Sequence, residues 1–215
     1  MTRKAILFDL DGTLTDSGEG IMNCATLALE HFGLPIPPRE ALRVFVGPPL
    51  RDTFLKFGVL EDQIEEAVRV FRGRYLKVGK FENFPYPGIP ELLQTLKAQG
   101  HKLYVATSKP ETTAVEILNK FELSQYFEII CGALLDGPRD SKESVIAYLL
   151  SQTGTNMKAI MVGDTSFDVI GAAAHGIPTI GVRWGYGKVS EMEQAGAAAI
   201  ADTTEQLAEL INADY

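Results

Sequence analysis

The sequence has little cysteine and no long hydrophobic segment, and both features narrow the classes of protein that fit it. Its two cysteines, Cys24 and Cys131, stand far apart and form no CxxC pair. A disulfide framework is therefore not expected, and buried thiols in a reducing compartment are the simplest interpretation. No run approaches the ~18 apolar residues of a membrane span, and Asp9 interrupts the first apolar run too early for a signal peptide. We therefore expect a cytoplasmic protein with no membrane partner.

The chain also lacks an excess of positive charge. Its 215 residues include 20 Lys and Arg against 28 Asp and Glu, which gives a formal net charge of −8. An acidic surface repels the backbone of a nucleic acid, so no nucleic-acid polymer is expected as a partner. An anionic substrate must then be attracted by local positive charge. The composition is compatible with a monomer or a homodimer.

What the sequence does have is an alternation of short apolar runs and helical patterns. The runs are rich in Ile, Val, Leu and Ala, as is typical of buried parallel strands, and lie at 5–8, 103–106, 127–131, 159–162, 179–182 and 197–200. Helical patterns cover 88–99, 111–121, 142–152, 165–175 and 203–212. This alternation predicts an α/β fold with a doubly wound, Rossmann-like parallel sheet as its core.

The segment from residue 16 to residue 83 breaks the alternation. It contains helical patterns at 18–32, 49–57 and 61–78, with no convincing strand between them. It leads into ENFPYPGIP, whose prolines and glycine are typical of a hinge or a domain boundary. We therefore predict an inserted helical cap at 16–83 and an α/β core formed by 1–15 and 84–215.

Acidic residues directly follow two of the predicted strands. Ligands of a parallel α/β sheet bind at the carboxyl ends of its strands, so these residues are candidates for function. Asp9 and Asp11 are two residues apart and can project the same way from an extended backbone. Asp164 and Asp168 are four residues apart around a helix start and can also share a face. Carboxylates that converge in this way need a cation, and an all-oxygen ligand set favours Mg²⁺.

Thr107, Ser108 and Lys142 form the complementary half of the predicted site. Their hydroxyl, backbone amide and ammonium groups suit the oxygens of a phosphoryl group. Beside a cation, one carboxylate can attack phosphorus, while a second carboxylate two residues away can act as general acid and then as base. A lysine that opens a helix is an ordinary surface feature, so Lys109 and Arg139 are alternatives to Lys142.

Taken in this order, the residues resemble the motifs of the haloacid dehalogenase superfamily. DLDGT at 9–13 is similar to the first motif, TS at 107–108 to the second, Lys142 to the third and GDTSFD at 163–168 to the fourth. The strings GPPLRDTF, ENFPYPGIPELL, ATSKPE, LLDGPRDSK and GVRWGYG further resemble the phosphoglycolate phosphatase-like branch, which includes nucleoside 5′-monophosphatases. The resemblance covers nearly the whole chain.

This resemblance implies a role for each motif residue. Asp9 would form an aspartyl-phosphate, and Asp11 would protonate the leaving oxygen and later activate water. Mg²⁺ would be held by Asp9, the backbone carbonyl of Asp11 and Asp164, with direct or indirect support from Asp168. The groups expected to bind the phosphoryl oxygens are Thr107, with its neighbour Ser108, and Lys142.

Two further places are expected to contact the rest of the substrate. Arg51 follows GPPL at a predicted cap-helix start, where it either reaches an anionic substrate group or remains solvated. The loop that begins at Arg183 follows a strand end and should border the site. Its aromatic residues, Trp184 and Tyr186, either stack on a base or pack against the core.

The leading hypothesis is a Mg²⁺-dependent phosphomonoesterase that acts on a small cytosolic phosphate ester, either phosphoglycolate-like or a nucleoside 5′-monophosphate. A sugar phosphomutase and a pyrophosphatase of the same superfamily are the alternatives. A signalling receiver also carries an aspartyl-phosphate, but it has about half this length and no cap. A non-catalytic binding protein on this fold would be expected to have lost some of the motif residues, and none is missing here.

Overall fold

The computed structural model describes residues 3–134, 137–153 and 157–213. Its strands, in chain order, are β1 (Ala5–Phe8), β2 (Thr15–Asp16), β3 (Phe84–Pro85), β4 (Lys102–Pro110), β5 (Ile129–Ala133), β6 (Ala159–Gly163), β7 (Thr179–Val182) and β8 (Ala199–Ala201). The main sheet has the order β5-β4-β1-β6-β7-β8, and its neighbouring strands are parallel, whereas β2 and β3 form a separate two-stranded sheet. The chain moves outward from β1 first on one side and then on the other. The predicted doubly wound parallel sheet is therefore confirmed.

The helices connect and cover these strands. They are α1 (Gly18–His31), α2 (Arg39–Leu42), α3 (Leu50–Lys56), α4 (Ile64–Tyr75), α5 (Ile89–Ala98), α6 (Glu111–Lys120), α7 (Lys142–Thr153), α8 (Ser166–Ala173), α9 (Val189–Gln194) and α10 (Thr204–Asn212). Within the described ranges, no helix is both long and apolar enough to span a membrane.

Strand β1 lies in the middle of the main sheet, and its position explains its uninterrupted apolar sequence. Ile6 and Phe8 belong to one apolar cluster, together with buried residues of α5, α6 and α10. Ala5 and Leu7 belong to a second cluster, together with buried residues of α7 and α8. Successive residues of a strand point to opposite faces, so helices that cover both faces bury every residue of β1.

The chain divides into two compact units. One unit comprises the residues up to Thr15 and those from Pro85 onward, and it contains the main sheet. The other unit is Asp16–Phe84, which contains α1 to α4. The ring of Phe54 lies 5.0 Å from that of Phe45 and 6.3 Å from that of Phe71, so aromatic contacts form part of the core of this second unit.

Several short elements were not predicted from the sequence. The pattern at 61–78 forms a 3₁₀ turn, Glu61–Gln63, followed by α4, which ends at Tyr75. Strands β2 and β3 have two residues each, α2 has four and α9 has six. Segments this short contain too few residues to display a hydrophobic period.

Candidate active site

The carboxyl ends of the three central strands β4, β1 and β6 bring the motif residues together. Asp9 directly follows β1, and Asp164 directly follows β6. Thr107 and Ser108 lie near the end of β4, where its register against β5 shifts between Ala106 and Pro110. This edge is where the strand order reverses, which is the usual ligand position in an open α/β sheet.

Three carboxylates form a buried group at this edge. One carboxylate oxygen of each of Asp9, Asp164 and Asp168 lies within 4.8 Å of the others. The Lys142 ammonium group, on the first residue of α7, lies 2.7 Å from Asp9 Oδ1 and 2.7 Å from Asp168 Oδ1. It also donates a hydrogen bond of 2.9 Å to the carbonyl oxygen of Ala106. Lys142 therefore links β4 to the carboxylates that follow β1 and β6.

Burial dominates the electrostatics of these groups. Desolvation raises the pKa of Asp9 to about 6, although the positive charge of Lys142 opposes the shift. Desolvation, with the neighbouring charges of Asp168 and Asp9, raises the pKa of Asp164 to about 8. Burial alone would lower the pKa of Lys142, but the charges of Asp168 and Asp9 outweigh it and hold that pKa above its usual value.

The composition of this group fits a hard divalent cation. All three side chains offer oxygen ligands, and the raised pKa values of Asp9 and Asp164 reflect first their burial and then the negative charge of the neighbouring carboxylates. A buried divalent cation would supply the missing positive charge, and Mg²⁺ prefers oxygen ligands of this kind. Asp9, Asp164 and Asp168 are therefore the side chains that could hold the metal.

Asp168 is held in place by its own protein contacts. Its Oδ2 atom accepts hydrogen bonds from the Thr165 backbone N–H at 3.0 Å and from the Thr165 hydroxyl at 2.8 Å. Its Oδ1 atom contacts Lys142, as described above. Both oxygens of this fully buried carboxylate thus have partners within the protein.

The Asp11 carboxylate has a different partner. Its Oδ2 atom lies 2.6 Å from the Nζ atom of Lys109, and 15% of the Asp11 side chain and 5% of the Lys109 side chain are exposed. The backbone N–H of Lys109 donates to the Thr107 hydroxyl oxygen at 3.2 Å. The Thr107 side chain is buried, whereas Ser108 is exposed.

Gly12 makes the turn after β1 compatible with the position of Asp164. It has a φ of 80°, a left-handed conformation that glycine adopts readily. A Cβ atom at this position would lie 2.2 Å from Asp164 Oδ2. The next residue, Thr13, donates its hydroxyl to Asp164 Oδ1 at 3.3 Å.

The loop after β7 contacts Asp164 through its backbone. The N–H groups of Tyr186 and Gly187 lie 2.8 Å and 3.4 Å from Asp164 Oδ2. A Cβ atom on Gly185 would lie 2.3 Å from both the Cβ and the Oδ2 atoms of Asp164. The loop therefore packs directly against a candidate metal ligand.

The side chains of this loop have structural contacts. Trp184 donates its indole N–H to the Thr13 carbonyl oxygen at 3.1 Å and packs against the apolar cluster of the sheet. The Arg183 guanidinium forms an ion pair with Asp202. These contacts agree with the packing alternative for Trp184, and substrate contacts by Arg183, Trp184 and Tyr186 remain predictions.

Arg51 lies on α3 in the unit Asp16–Phe84. Its guanidinium contacts Glu61 and lies 3.8 Å from Glu65, and 49% of the side chain is exposed. Arg51 is the second residue of α3, so the prediction of a helix start at this position is confirmed. The sequence pattern did not indicate the acidic neighbours of Arg51. A role for Arg51 in substrate binding remains a prediction.

Sequence reasoning gave no separate role to Thr13, which lies in the DLDGT motif, or to Gly185, which lies in the loop predicted to border the site. It missed the pairing of Lys109 with Asp11. The sequence pattern does indicate this loop, because Gly185 and Gly187 alternate with aromatic residues directly after a predicted strand. The sequence pattern indicates Lys109 only as an alternative to Lys142. In the structure Lys142 contacts Asp9, and Lys109 contacts Asp11.

Comparisons with known proteins agree with these motifs. A family profile described as haloacid dehalogenase-like hydrolase matches residues 6–182. Tyrosine-protein kinase PtkA of Mycobacterium tuberculosis is 43% identical over 211 residues, which cover 97% of this chain and 72% of the relative. A 5′-nucleotidase of Pseudomonas aeruginosa is 43% identical over 189 residues, which cover 87% of this chain and 86% of the relative. A phosphoglycolate phosphatase of Aquifex aeolicus is 35% identical over 189 residues, with 87% and 88% covered.

Solved structures also share the fold. A predicted phosphatase from Clostridium acetobutylicum has a TM-score of 0.90 and 40% sequence identity, and the match covers 98% of this chain and 99% of that chain. The family match, the relatives and this solved structure confirm the resemblance drawn from the motifs. The chain belongs to the haloacid dehalogenase-like hydrolase family and is a phosphatase of that family.

Proposed function

We propose that the enzyme hydrolyses a small cytosolic phosphate monoester by transferring its phosphoryl group first to Asp9 and then to water. The arrangement of Lys142 supports this proposal most strongly, because its ammonium group lies 2.7 Å from both Asp9 and Asp168 at the ligand-binding edge of the sheet. Asp9 is thereby held beside a fixed positive charge, which favours the ionised form that attacks phosphorus.

In the first half-reaction, a carboxylate oxygen of Asp9 forms a bond to phosphorus while the bond from phosphorus to the ester oxygen breaks. Protonated Asp11 gives its proton to that oxygen, so the product leaves as an alcohol. Proton transfer of this kind typically contributes about 10²- to 10⁴-fold to a rate. Asp11 suits this role because it follows Asp9 by two residues and its carboxylate is partly exposed.

In the second half-reaction, the Asp11 carboxylate removes a proton from a water molecule whose oxygen attacks phosphorus. The bond from phosphorus to the Asp9 oxygen breaks, and inorganic phosphate is released. Asp11 ends the cycle protonated and Asp9 ends it ionised, so the net reaction consumes one ester and one water. The two carboxylates thus have separate tasks, nucleophile and proton carrier.

A magnesium ion fits the acidic group of the site. The Asp9 and Asp164 carboxylates and the Asp11 backbone carbonyl would hold it, and Asp168 would support it through its contact with Lys142. When bound, Mg²⁺ supplies positive charge that offsets the carboxylates and the phosphoryl oxygens. Gly185 and the Tyr186 N–H keep the Asp164 carboxylate in position for this role.

Binding of the substrate is assigned to two groups of residues. Thr107, Ser108 and Lys142 would bind the phosphoryl oxygens, which every substrate shares. The unit Asp16–Phe84 would act as the cap and would contact the leaving group, with Arg51 as its candidate cation. The loop side chains that would also face the leaving group are Arg183, Trp184 and Tyr186.

The relatives suggest which esters to examine first. Two of them are named 5′-nucleotidase and phosphoglycolate phosphatase, so we propose a nucleoside 5′-monophosphate or a phosphoglycolate-like ester as substrate. The relative named tyrosine-protein kinase makes phosphoryl transfer from ATP to a tyrosine hydroxyl a second candidate. The two functions differ in the group that accepts the phosphoryl group.

The test measures release of inorganic phosphate from phosphoglycolate, nucleoside monophosphates, sugar phosphates and pyrophosphate. Each compound is assayed once with Mg²⁺ and once with excess chelator. We expect Mg²⁺-dependent release from at least one monoester, without a bisphosphate activator, and no release by Asp9→Asn. Full activity in chelator would contradict the metal-dependent mechanism. Transfer from ATP to a tyrosine peptide without hydrolysis of any monoester would favour the kinase function instead.

A further inference from the structure

Lys109 is a buried lysine beside the proposed proton carrier, and it lies outside the set of groups assigned above. Its Nζ atom lies 2.6 Å from Asp11 Oδ2, and only 5% of its side chain is exposed. A buried ammonium group is costly unless an opposite charge compensates it. The Asp11 carboxylate supplies that charge for Lys109.

The backbone of β4 explains how Lys109 reaches Asp11. Between Ala106 and Pro110 the register of β4 against β5 shifts, and Lys109 lies within that irregular stretch. Its N–H donates to the Thr107 hydroxyl oxygen at 3.2 Å. The same stretch therefore carries both a candidate phosphate ligand, Thr107, and the partner of Asp11.

The charges at this edge fall into two sets. Lys142 contacts Asp9 and Asp168, which lie in the buried group with Asp164, whereas Lys109 contacts Asp11. Together the four carboxylates and two ammonium groups carry a formal excess of two negative charges, which one divalent cation balances. Without Lys109, the Asp11 carboxylate would be an additional uncompensated charge near the metal ligands.

We propose that Lys109 is a positioning residue for Asp11: its ammonium group holds the Asp11 carboxylate apart from the metal-binding carboxylates and keeps it available for proton transfer. This inference rests on the proposed function, in which Asp11 protonates the leaving group. In the first half-reaction, a mispositioned general acid matters only when the leaving group needs a proton. In that step Lys109 should therefore affect poor leaving groups and spare good ones.

The test compares Lys109→Met with the wild-type enzyme on two esters, an alkyl phosphate and an aryl phosphate with a strongly acidic phenol. We expect kcat for the alkyl ester to fall about 10- to 100-fold, because protonation of its leaving group becomes less effective. Formation of the phosphoenzyme from the aryl ester, measured as a burst of phenol, should change less than about threefold. Equal losses in the rate of phosphoenzyme formation from both esters would contradict the proposal, because they would indicate that Lys109 binds the shared phosphoryl group.

A double-mutant cycle with Asp11→Asn sharpens the test. If Lys109 acts through Asp11, adding Lys109→Met to Asp11→Asn should change the rate measured for either ester by no more than about threefold. Further losses that multiply with those of Asp11→Asn would overturn the proposal. The double variant removes both charges of the pair and leaves no unpaired buried charge. Asp11→Asn and the double variant can therefore be compared even if Lys109→Met alone fails to fold.

Lys102→Met is the matched control, because Lys102 lies on the same strand and forms an exposed ion pair with Glu128 at 3.1 Å. Lys102→Met should leave the rates for both esters within about twofold of the wild-type values. Wild-type turnover without phosphorylation of Asp9 would contradict the proposed nucleophile, while the comparison of the two esters would still decide the role of Lys109. A wild-type enzyme with no activity on any ester would contradict both.

Discussion

At the scale of single residues, the Asp164 carboxylate is closely packed by glycines from two segments of the chain. Gly12 approaches it from the turn after β1, and Gly185 approaches it from the loop after β7. Thr13 and the backbone of Tyr186 donate hydrogen bonds to its two oxygens. Substitution of residues that orient a metal ligand typically lowers metal affinity or activity about 10- to 100-fold.

We therefore expect Gly185→Ala to weaken Mg²⁺ binding by about 10-fold or more, because the new methyl group would overlap Asp164 and displace its carboxylate. Titration calorimetry of the purified protein with Mg²⁺ measures this without any substrate. Gly73→Ala is the control, because a methyl group at that position has nothing within 4 Å. An unchanged Mg²⁺ affinity in Gly185→Ala would show that the loop does not position Asp164.

Individual residues of the site were predictable where strand ends and spacing carry the information. The carboxylates of Asp9, Asp11, Asp164 and Asp168 were expected to converge. Oxygens of Asp9, Asp164 and Asp168 lie within 4.8 Å of one another, whereas the Asp11 carboxylate pairs with Lys109. The pairing of Lys109 with Asp11 was not predictable, because it depends on an irregular register in β4 that leaves no mark in the sequence. Local pattern indicates which residues reach the sheet edge, but only side-chain packing decides their partners.

At the scale of elements, α10 is anchored to the start of β1 and to the turn before β4 by two buried polar residues. Lys4 donates from Nζ to the Ile211 carbonyl oxygen at 2.7 Å, close to the end of α10. The backbone N–H of Lys4 donates to His101 Nδ1 at 3.2 Å, so the imidazole proton lies on Nε2 and faces Asn212 Oδ1 at 3.3 Å. A basic group near a helix C-terminus satisfies carbonyl groups that lack partners within the helix.

We expect His101 to make the free energy of unfolding depend on pH. Burial lowers its pKa from the ordinary value of 6.5, although the contact with Asn212 opposes the shift. As pH falls through 6.5, the unfolded chain therefore gains a proton more readily than the folded protein, and the free energy of unfolding decreases.

We expect the decrease in the free energy of unfolding between pH 7.5 and pH 5.5 to be smaller in His101→Gln than in the wild type. Urea unfolding at several pH values measures it, and His175→Gln controls for the loss of a less buried imidazole. If the free energy of unfolding depends on pH equally in the wild type and in His101→Gln, His101 is not a source of that dependence. A larger decrease in the free energy of unfolding in His101→Gln than in the wild type would reverse the predicted sign and contradict this account.

The elements themselves were predictable to different degrees. The six strands of the main sheet were expected from apolar runs, because burial on both faces of a strand leaves no place for polar residues. Helices α5, α6, α7, α8 and α10 were expected from their spacing, because burial of one helix face imposes a period on the sequence. The predicted strand at 127–131 begins two residues later, at Ile129, and the predicted strand at 103–106 extends to Pro110. Boundaries depend on hydrogen bonds to neighbouring strands, which a sequence pattern does not report.

At the scale of the whole molecule, the order of the strands explains why distant segments form one site. Residues 9 and 164 are far apart in the sequence, but β1 and β6 are neighbours with Phe8 opposite Val162. Parallel strands end at the same edge, so the residues that follow them meet there.

The central claim is that Asp9 carries the phosphoryl group, and trapping that group on the protein tests it most directly. The enzyme is mixed with an activated aryl phosphate and Mg²⁺, quenched in acid within milliseconds, digested and analysed by mass spectrometry. We expect a phosphoryl group on Asp9 in the wild type, a longer-lived adduct on Asp9 in Asp11→Asn, and no adduct in Asp9→Asn. A phosphoryl group on any other residue, or undiminished turnover by Asp9→Asn, would contradict the account.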